Sequence, residues 1–351
     1  MAPALSVMTS PPARARPGPR NLITDVPGLK VGQAEDLAVR SGVTVILPEA
    51  RAVCACDVRG GGPGTRETDA LAPENLVDAV DAVVLSGGSV YGLAAADGVA
   101  AWLGARRRGY VVSPDPAVPP SPVIPAAILF DLANGGDKAW GEEPPYRRLG
   151  RAAVAAADEA FELGSAGAGC GAMAGALKGG TGSASVVSAD GYTVGAVVAA
   201  NPWGSVIAPG GRSFWAAPFE IDGEFGGLGS AGLAAAPDDW GLSKAPAGGL
   251  NTTIACVATD ALLTPAQARR LAVMAQDGLA RAIRPVHAPF DGDVVFALST
   301  AGRALAEPAP YTLARLGALA ADCLARAVAR AVYEARPWPG VDVPCWRDLT
   351  A

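Results

Sequence analysis

Two threonines, Thr252 and Thr253, head an apolar alternation in "NTTIACVAT", directly after a loose stretch of Ala, Pro and Gly. A threonine hydroxyl is a poor nucleophile unless a base lies within hydrogen-bond reach, and one solution uses the free α-amine of the same residue. That solution requires a cut between Asn251 and Thr252. The setting suits a cut: a Gly-rich lead-in, a small polar residue, then a strand rigid enough to hold a new terminus. An α-amine titrates near neutrality, where a general base belongs. The same residues also read as a turn capped by Asn251 and followed by ordinary strand-start threonines.

Other residues could serve such a nucleophile. Asp291 and Asp293, in "DGD" at the start of the strand pattern "VVFALST", are spaced i and i+2, which puts two carboxylates on one face. Such a pair can orient a hydroxyl and stabilise a nearby ammonium. It can also be a solvated Asp-Gly turn, and a divalent-metal site would need acidic ligands that the neighbouring sequence lacks. Asn201 closes a long strand pattern in "VVAANPWGS", where its amide could donate to an oxyanion or begin an Asn-Pro turn. Lys178 is the lone cation in a stretch of apolar and small residues around "GALKGG". Buried, it would be an activated or charge-balancing amine; exposed, a solubilising turn residue.

Several chemistries are excluded or weakened. His287 is the one histidine, and no GxSxG elbow supplies it with a serine, so it reads as a structural residue of the loop "RPVHAPF". "RGGGPGTRET" lacks the Lys-Ser/Thr end of a Walker motif and reads as a tight loop allowing close backbone approach. The net charge of −6, with no basic run beyond Arg106 to Arg108, argues against a nucleic-acid partner. The six cysteines form no CxxC pairs and read as buried free thiols of a reducing compartment, with "CAC" at Cys54 and Cys56 packing on one strand face. No metal or other cofactor is expected. No stretch approaches the roughly 18 apolar residues of a membrane helix, so a cytoplasmic location without a membrane partner is expected. Residues 1–20 lack the apolar core of a signal peptide and read as a disordered tail.

The elements that must position these residues alternate along the chain. "GVTVILPE", "AVVLSGG", "YVVSP" and "PAAILFDL" read as strands, and "SVYGLAAADGVAAWLGARRRG" as a buried helix closed by Gly109. An Ala-rich helix is expected near Arg151 to Leu163. "SASVV" and "YTVGAVVAA" flank the turn "SADG" as a hairpin. Order then lapses from Asn201 to Leu250, a length that marks a functional or mobile connection shaping the pocket. Beyond it come the strand "NTTIACVAT", a helix with Thr264 as N-cap and Gln267 completing a capping box, the strand "DGDVVFALST", and a helix from Thr312 to Ala335. Strands in the middle and helices outside predict an α/β/β/α sandwich, against a doubly wound parallel sheet.

Taken together, "DVRGGGPGTRET", "LSGGSVYGLAAADGV", "GAGCGAMAG", "NPWG", "NTTIACVATDA" and "RPVHAPFDGDVVFA" resemble the P1 peptidases, which include L-aminopeptidase/D-esterases, β-peptidyl aminopeptidases and nylon-oligomer hydrolases. The resemblance runs from about Asn21 to the C-terminus. It implies an N-terminal-nucleophile hydrolase of four-layer αββα fold, a single domain over 21–351 that cleaves itself into chains 21–251 (with the tail) and 252–351. It also implies a homo-oligomer, with a tetramer favoured. By the resemblance the cut matches Asn251-Thr252, the nucleophile Thr252 and the oxyanion asparagine Asn201. A threonine nucleophile, with Lys178, Asp291 and Asp293 in support, is similar to the nylon-oligomer branch. The family's active-site tyrosine falls at Phe130. Its amine-gripping glutamate falls at Ile128, which cannot pair with an ammonium. The expected substrates are therefore ω-amino-acid amides such as 6-aminohexanoate oligomers, with aminopeptidase or D-esterase action on short peptides as the second reading and a non-catalytic scaffold as the third.

Overall fold

A computed structural model describes residues 14–231, 233–244 and 251–349. Two five-stranded mixed sheets are stacked face to face. The first contains β1 (Leu29–Asp36), β2 (Ser41–Pro48), β4 (Thr65–Arg66), β5 (Val83–Ser86) and β6 (Ala126–Ile128), in the order β1-β2-β5-β6-β4. The second contains β3 (Val53–Val58), β9 (Gly180–Val187), β10 (Thr193–Asn201), β11 (Thr252–Ala261) and β12 (Val294–Arg303), in the order β3-β12-β11-β10-β9. A two-stranded ribbon, β7 (Met173–Ala174) and β8 (Leu177–Lys178), lies between β6 and β9 in sequence. Helices α1 (Ala95–Gly104) and α2 (Tyr146–Ala155) cover the first sheet, and α3 (Pro265–Ala282) and α4 (Ala309–Tyr333) the second.

Period-two alternation explains the layering. In β11, Ile254, Cys256 and Ala258 enter the core between the sheets, while Ala255, Val257 and Ala261 enter the core beneath α3 and α4. In β12 the split is Val294, Phe296 and Leu298 against Val295 and Ala297. Both strands are buried on two faces, so they read as continuous apolar runs. Cys54, Cys56 and Cys256 share the inter-sheet core, and all six cysteines are buried free thiols. The expected capping box forms: the Gln267 N–H donates to the Thr264 hydroxyl at 3.3 Å and the Thr264 N–H to Gln267 Oε1 at 2.9 Å.

Some expectations need correction. "YVVSP" is not a strand: beyond the bridge from Tyr110 to Ser121, Val111 and Val112 are exposed and have no sheet neighbour. The Ala-rich helix begins earlier and ends at Ala155, because Tyr146, Leu149 and Ala153 supply its buried stripe. The helix after "SGG" is a 3-10 turn over Ser89–Ala94 followed by α1, which ends at Gly104, short of Gly109. The expected tail is too long at its inner end: Arg16 exchanges two backbone hydrogen bonds with Val187, at 3.0 and 2.7 Å. Residues 1–13 lie outside the described residues.

Candidate active site

The β10–β11 ladder fixes the centre of the site. Its register places Asn201 directly opposite Thr252, at the ends of two adjacent central strands. By the alternation above, both residues share the face that looks into the gap between the sheets. Both are buried. The Thr252 hydroxyl donates to the carbonyl oxygen of Asn251, the residue on the other side of the expected cut. That same carbonyl oxygen accepts the Gly292 N–H at 3.0 Å. A peptide carbonyl polarised by a fixed N–H, with a hydroxyl against it, is the arrangement from which an N-to-O acyl shift starts.

Gly292 earns its place by size. A Cβ there would sit 2.7 Å from Thr252 Oγ1 and 2.7 Å from the Gly62 carbonyl oxygen, too close for either. The glycine loop read from "RGGGPGTRET" is the other half of this packing. Its backbone clasps the turn that carries the aspartates, with Arg59 N donating to the Asp293 carbonyl at 3.0 Å and Gly62 N to the Asp291 carbonyl at 2.7 Å.

Asp291 and Asp293 sit just before β12, both buried, and their carboxylates have separate partners. Asp293 accepts the Thr253 N–H at 2.7 Å on one oxygen; its other oxygen meets the His287 N–H at 3.2 Å and His287 Nδ1 at 2.8 Å. Asp293 thereby ties the strand start to the loop, and His287 is its partner, consistent with a structural role. Asp291 accepts from the N–H groups of Trp203 at 3.3 Å and Ala288 at 3.1 Å. Burial, and then the neighbouring Asp293 charge, push its carboxyl up to about 6. Neither carboxylate is hydrogen-bonded to the Thr252 hydroxyl in this uncut chain. Among the described residues no group of three or more His, Cys, Asp or Glu is placed to hold a metal ion.

Asn201 is held from three sides. Its Oδ1 accepts the Met173 N–H at 2.9 Å and Lys244 Nζ at 3.2 Å, and its Nδ2 donates to the Phe130 carbonyl at 3.0 Å. An amide nitrogen has two hydrogens, so one donor remains for an oxyanion. Asn201 also lines a cavity of about 200 Å³, walled further by Phe130, Asp131, Met173 and Lys244. Phe130 thus lines this cavity. Ile128 is not among the lining residues; it is buried in β6, where there is room for its side chain only because Gly64 and Gly92 lack a Cβ. Asp131 is the carboxylate on the wall, and burial raises it to about 6.

Lys178 does not touch Thr252. Its fully buried ammonium donates to the carbonyls of Gly169 at 3.3 Å, Ala172 at 3.1 Å and Gly179 at 2.7 Å, with the Trp338 ring 4.9 Å away. The Ala172 carbonyl belongs to the peptide unit whose N–H holds Asn201. Lys178 therefore reaches the site through one polarised peptide group. Burial lowers its pKa to about 8. A lysine whose folded pKa lies below its unfolded value near 10.4 adds stability that is complete above that value and lost as pH falls through about 8. The thermal midpoint should accordingly rise between pH 8 and 10 relative to that of Lys178→Met. Parallel profiles by calorimetry would contradict this account of the cage.

Lys244 was missed by sequence reasoning. It is one lysine in "GLSKAPAGG", where no periodicity points to it. The Asn201–Thr252 apposition was also invisible, because register is a property of two strands 50 residues apart.

This chain and its fold have counterparts. The family model for peptidase family S58 matches residues 21–344. The chain belongs to peptidase family S58. This S58 peptidase is a hydrolase acting on amide or peptide bonds. It is 44% identical over 351 residues to an uncharacterised aminopeptidase of Mycobacterium tuberculosis, covering 94% of this chain and 98% of that protein. It is 29% identical over 300 residues to a 6-aminohexanoate-oligomer endohydrolase of a Kocuria species, covering 81% and 76%. Among solved structures, a Burkholderia beta-aminopeptidase superposes with a TM-score of 0.67 at 23% identity, covering 93% of this chain and 90% of that one. The L-aminopeptidase D-Ala-esterase/amidase from Ochrobactrum anthropi, described as a variant of the Ntn hydrolase fold, gives 0.64 at 22% identity, covering 93% and 89%. The αββα Ntn hydrolase architecture expected from the sequence is therefore present. Among the described residues no helix is long and apolar enough to cross a membrane.

Proposed function

We propose that this S58 peptidase cuts its own Asn251-Thr252 bond and then uses Thr252 as an N-terminal nucleophile to hydrolyse short peptides and related amides from their amino end. The observation that carries the reading is the junction itself, where the Asn251 carbonyl lies between the Gly292 N–H and the Thr252 hydroxyl. In the first step Thr252 Oγ bonds to the Asn251 carbonyl carbon, the C–N bond breaks, and the hydroxyl proton passes to the departing nitrogen. Water then hydrolyses the ester, leaving an Asn251 carboxylate and a Thr252 with free amine and hydroxyl. In turnover the amine takes the hydroxyl proton, Thr252 attacks the substrate carbonyl with the free N–H of Asn201 facing the developing oxyanion, the substrate C–N bond breaks as that proton passes to the leaving amine, and water hydrolyses the acyl–Thr252 ester to release the acid. Asp293 holds the strand start, Asp291 adds negative charge beside Lys244, and Lys178 fixes Asn201 through its peptide dipole.

The aminopeptidase reading, which the sequence put second, is favoured over ω-amino-acid amides. The relatives at 44% identity are named aminopeptidases, whereas the oligomer hydrolases stand at 29%. The argument against it from Ile128 also weakens, since that side chain is absent from the cavity wall and Asp131 is present there as an anion for a substrate amine. Intact mass and N-terminal sequencing should give a second chain beginning Thr-Thr-Ile-Ala-Cys. Short peptide amides with a free amine should be hydrolysed faster than their N-acetylated forms. Equal rates would sink the aminopeptidase reading, and 6-aminohexanoate oligomers cleaved in preference would restore the other. The tetramer is tested by light scattering on the same sample.

A further inference from the structure

Lys244 approaches the junction from the segment that precedes it. Its backbone is fixed, with Lys244 N donating to the Trp203 carbonyl at 2.9 Å and the neighbouring Leu242 carbonyl accepting Ala176 N–H at 2.7 Å. Its half-buried side chain points inward, and Nζ reaches Asn251 Oδ1 at 2.6 Å, Asn201 Oδ1 at 3.2 Å and the Asn201 carbonyl at 3.4 Å. An ammonium has three N–H donors, and here there are three acceptors. One belongs to the residue whose carbonyl is to be attacked, and two belong to the asparagine across the ladder from the nucleophile.

We propose that Lys244 is a positioning residue for self-cleavage: its ammonium clamps Asn251 to Asn201 and so holds the Asn251-Thr252 bond in line with the Gly292 N–H. This rests on the self-cleavage reading above. The clamp also assigns the amide orientation of Asn201, because two donors, Met173 N–H and Lys244, converge on one of its atoms and make that atom oxygen. The charges around Lys244 are Asp291, on the turn before β12, and Asp131, on the segment after β6 that walls the same cavity. Burial draws the lysine down to about 7, against the pull of Asp291. The clamp is therefore complete below that pH and loses one donor above it.

The test uses the full chain and follows the uncut fraction with time on denaturing gels. Lys244→Met should slow conversion at least tenfold. Lys244→Arg, which keeps the charge, should restore most of the rate and remove the fall in rate expected for the natural chain above about pH 7. Asn251→Ala, which removes the acceptor from the other end, should slow conversion by a similar factor, and the double variant should be no slower than either single one. The uncut Thr252→Ala chain provides the reference for folding by circular dichroism. A natural chain that never converts would overturn the self-cleavage reading itself. A natural chain that converts while Lys244→Met converts equally fast at every pH, or a double variant with multiplied defects, would overturn the clamp alone.

Discussion

Thr252→Ala should run as one chain of 351 residues on a denaturing gel and should hydrolyse no amide measurably, whereas Thr252→Ser should still convert to two. On the proposed mechanism the Thr252 hydroxyl is the attacking atom in both self-cleavage and turnover, so its removal should abolish each. Loss of a hydroxyl nucleophile costs at least about 10⁴-fold in kcat in other hydrolases. The fold should survive, because the hydroxyl's hydrogen bond runs only to the adjacent Asn251 carbonyl and the strand is held by its ladders with β10 and β12. A Thr252→Ala chain that still divides at the same bond would remove Thr252 from the chemistry.

Asn201 should show the second large effect, and two substitutions separate its jobs. Asn201→Asp keeps an acceptor for Met173 N–H and Lys244 while removing the amide donors. It sets a carboxylate oxygen against the Phe130 carbonyl, so it should fold with some loss of stability, and lose about 10²–10³-fold in kcat, the usual cost of one oxyanion donor. Asn201→Ala should lose activity to a similar degree and in addition lower stability by about 1–3 kcal/mol, because the Met173 N–H is left buried without its acceptor. KM should change less than kcat for the aspartate variant, since the donor acts on charge that develops in the transition state. A kcat within a few-fold of the natural chain, measured on fully converted protein, would move the oxyanion contact elsewhere.

Thr252, the carboxylate pair and the central strands could be picked out from the sequence, because Thr252, Asp291 and Asp293 sit where an alternating apolar run begins and such runs are local signals. Sequence reading failed where position depends on partners distant in the chain. Val111 and Val112 have strand-like side chains but no neighbouring strand to pair with. Tyr146 starts α2 with its ring buried against Gly88 and Trp140, which an alanine count cannot reveal. Lys178 was recognised as unusual, yet its role depends on three carbonyls and one ring brought to it by the fold. Lys244 had no local signal, since a single lysine in a Pro- and Gly-rich stretch looks like any solvated one. Ile128 and Phe130 are two residues apart and were both placed at the pocket, but only Phe130 lines the cavity beside Asn201, while Ile128 packs in β6.

The strand order β3-β12-β11-β10-β9 has a consequence for what the proposed self-cleavage would do to the protein. The second product of that cut would contribute β11 and β12, which lie between β3 and β10 of the first, gripped on both edges. A cut at the start of β11 thus severs a covalent link without freeing either piece, and the halves remain interlocked as two fragments of one sheet. Once heat or denaturant draws them apart, each must find the other by diffusion, with no tether to raise its effective concentration. Maturation would make the protein a one-way assembly, with a lifetime set by how slowly it opens and not by how readily it refolds.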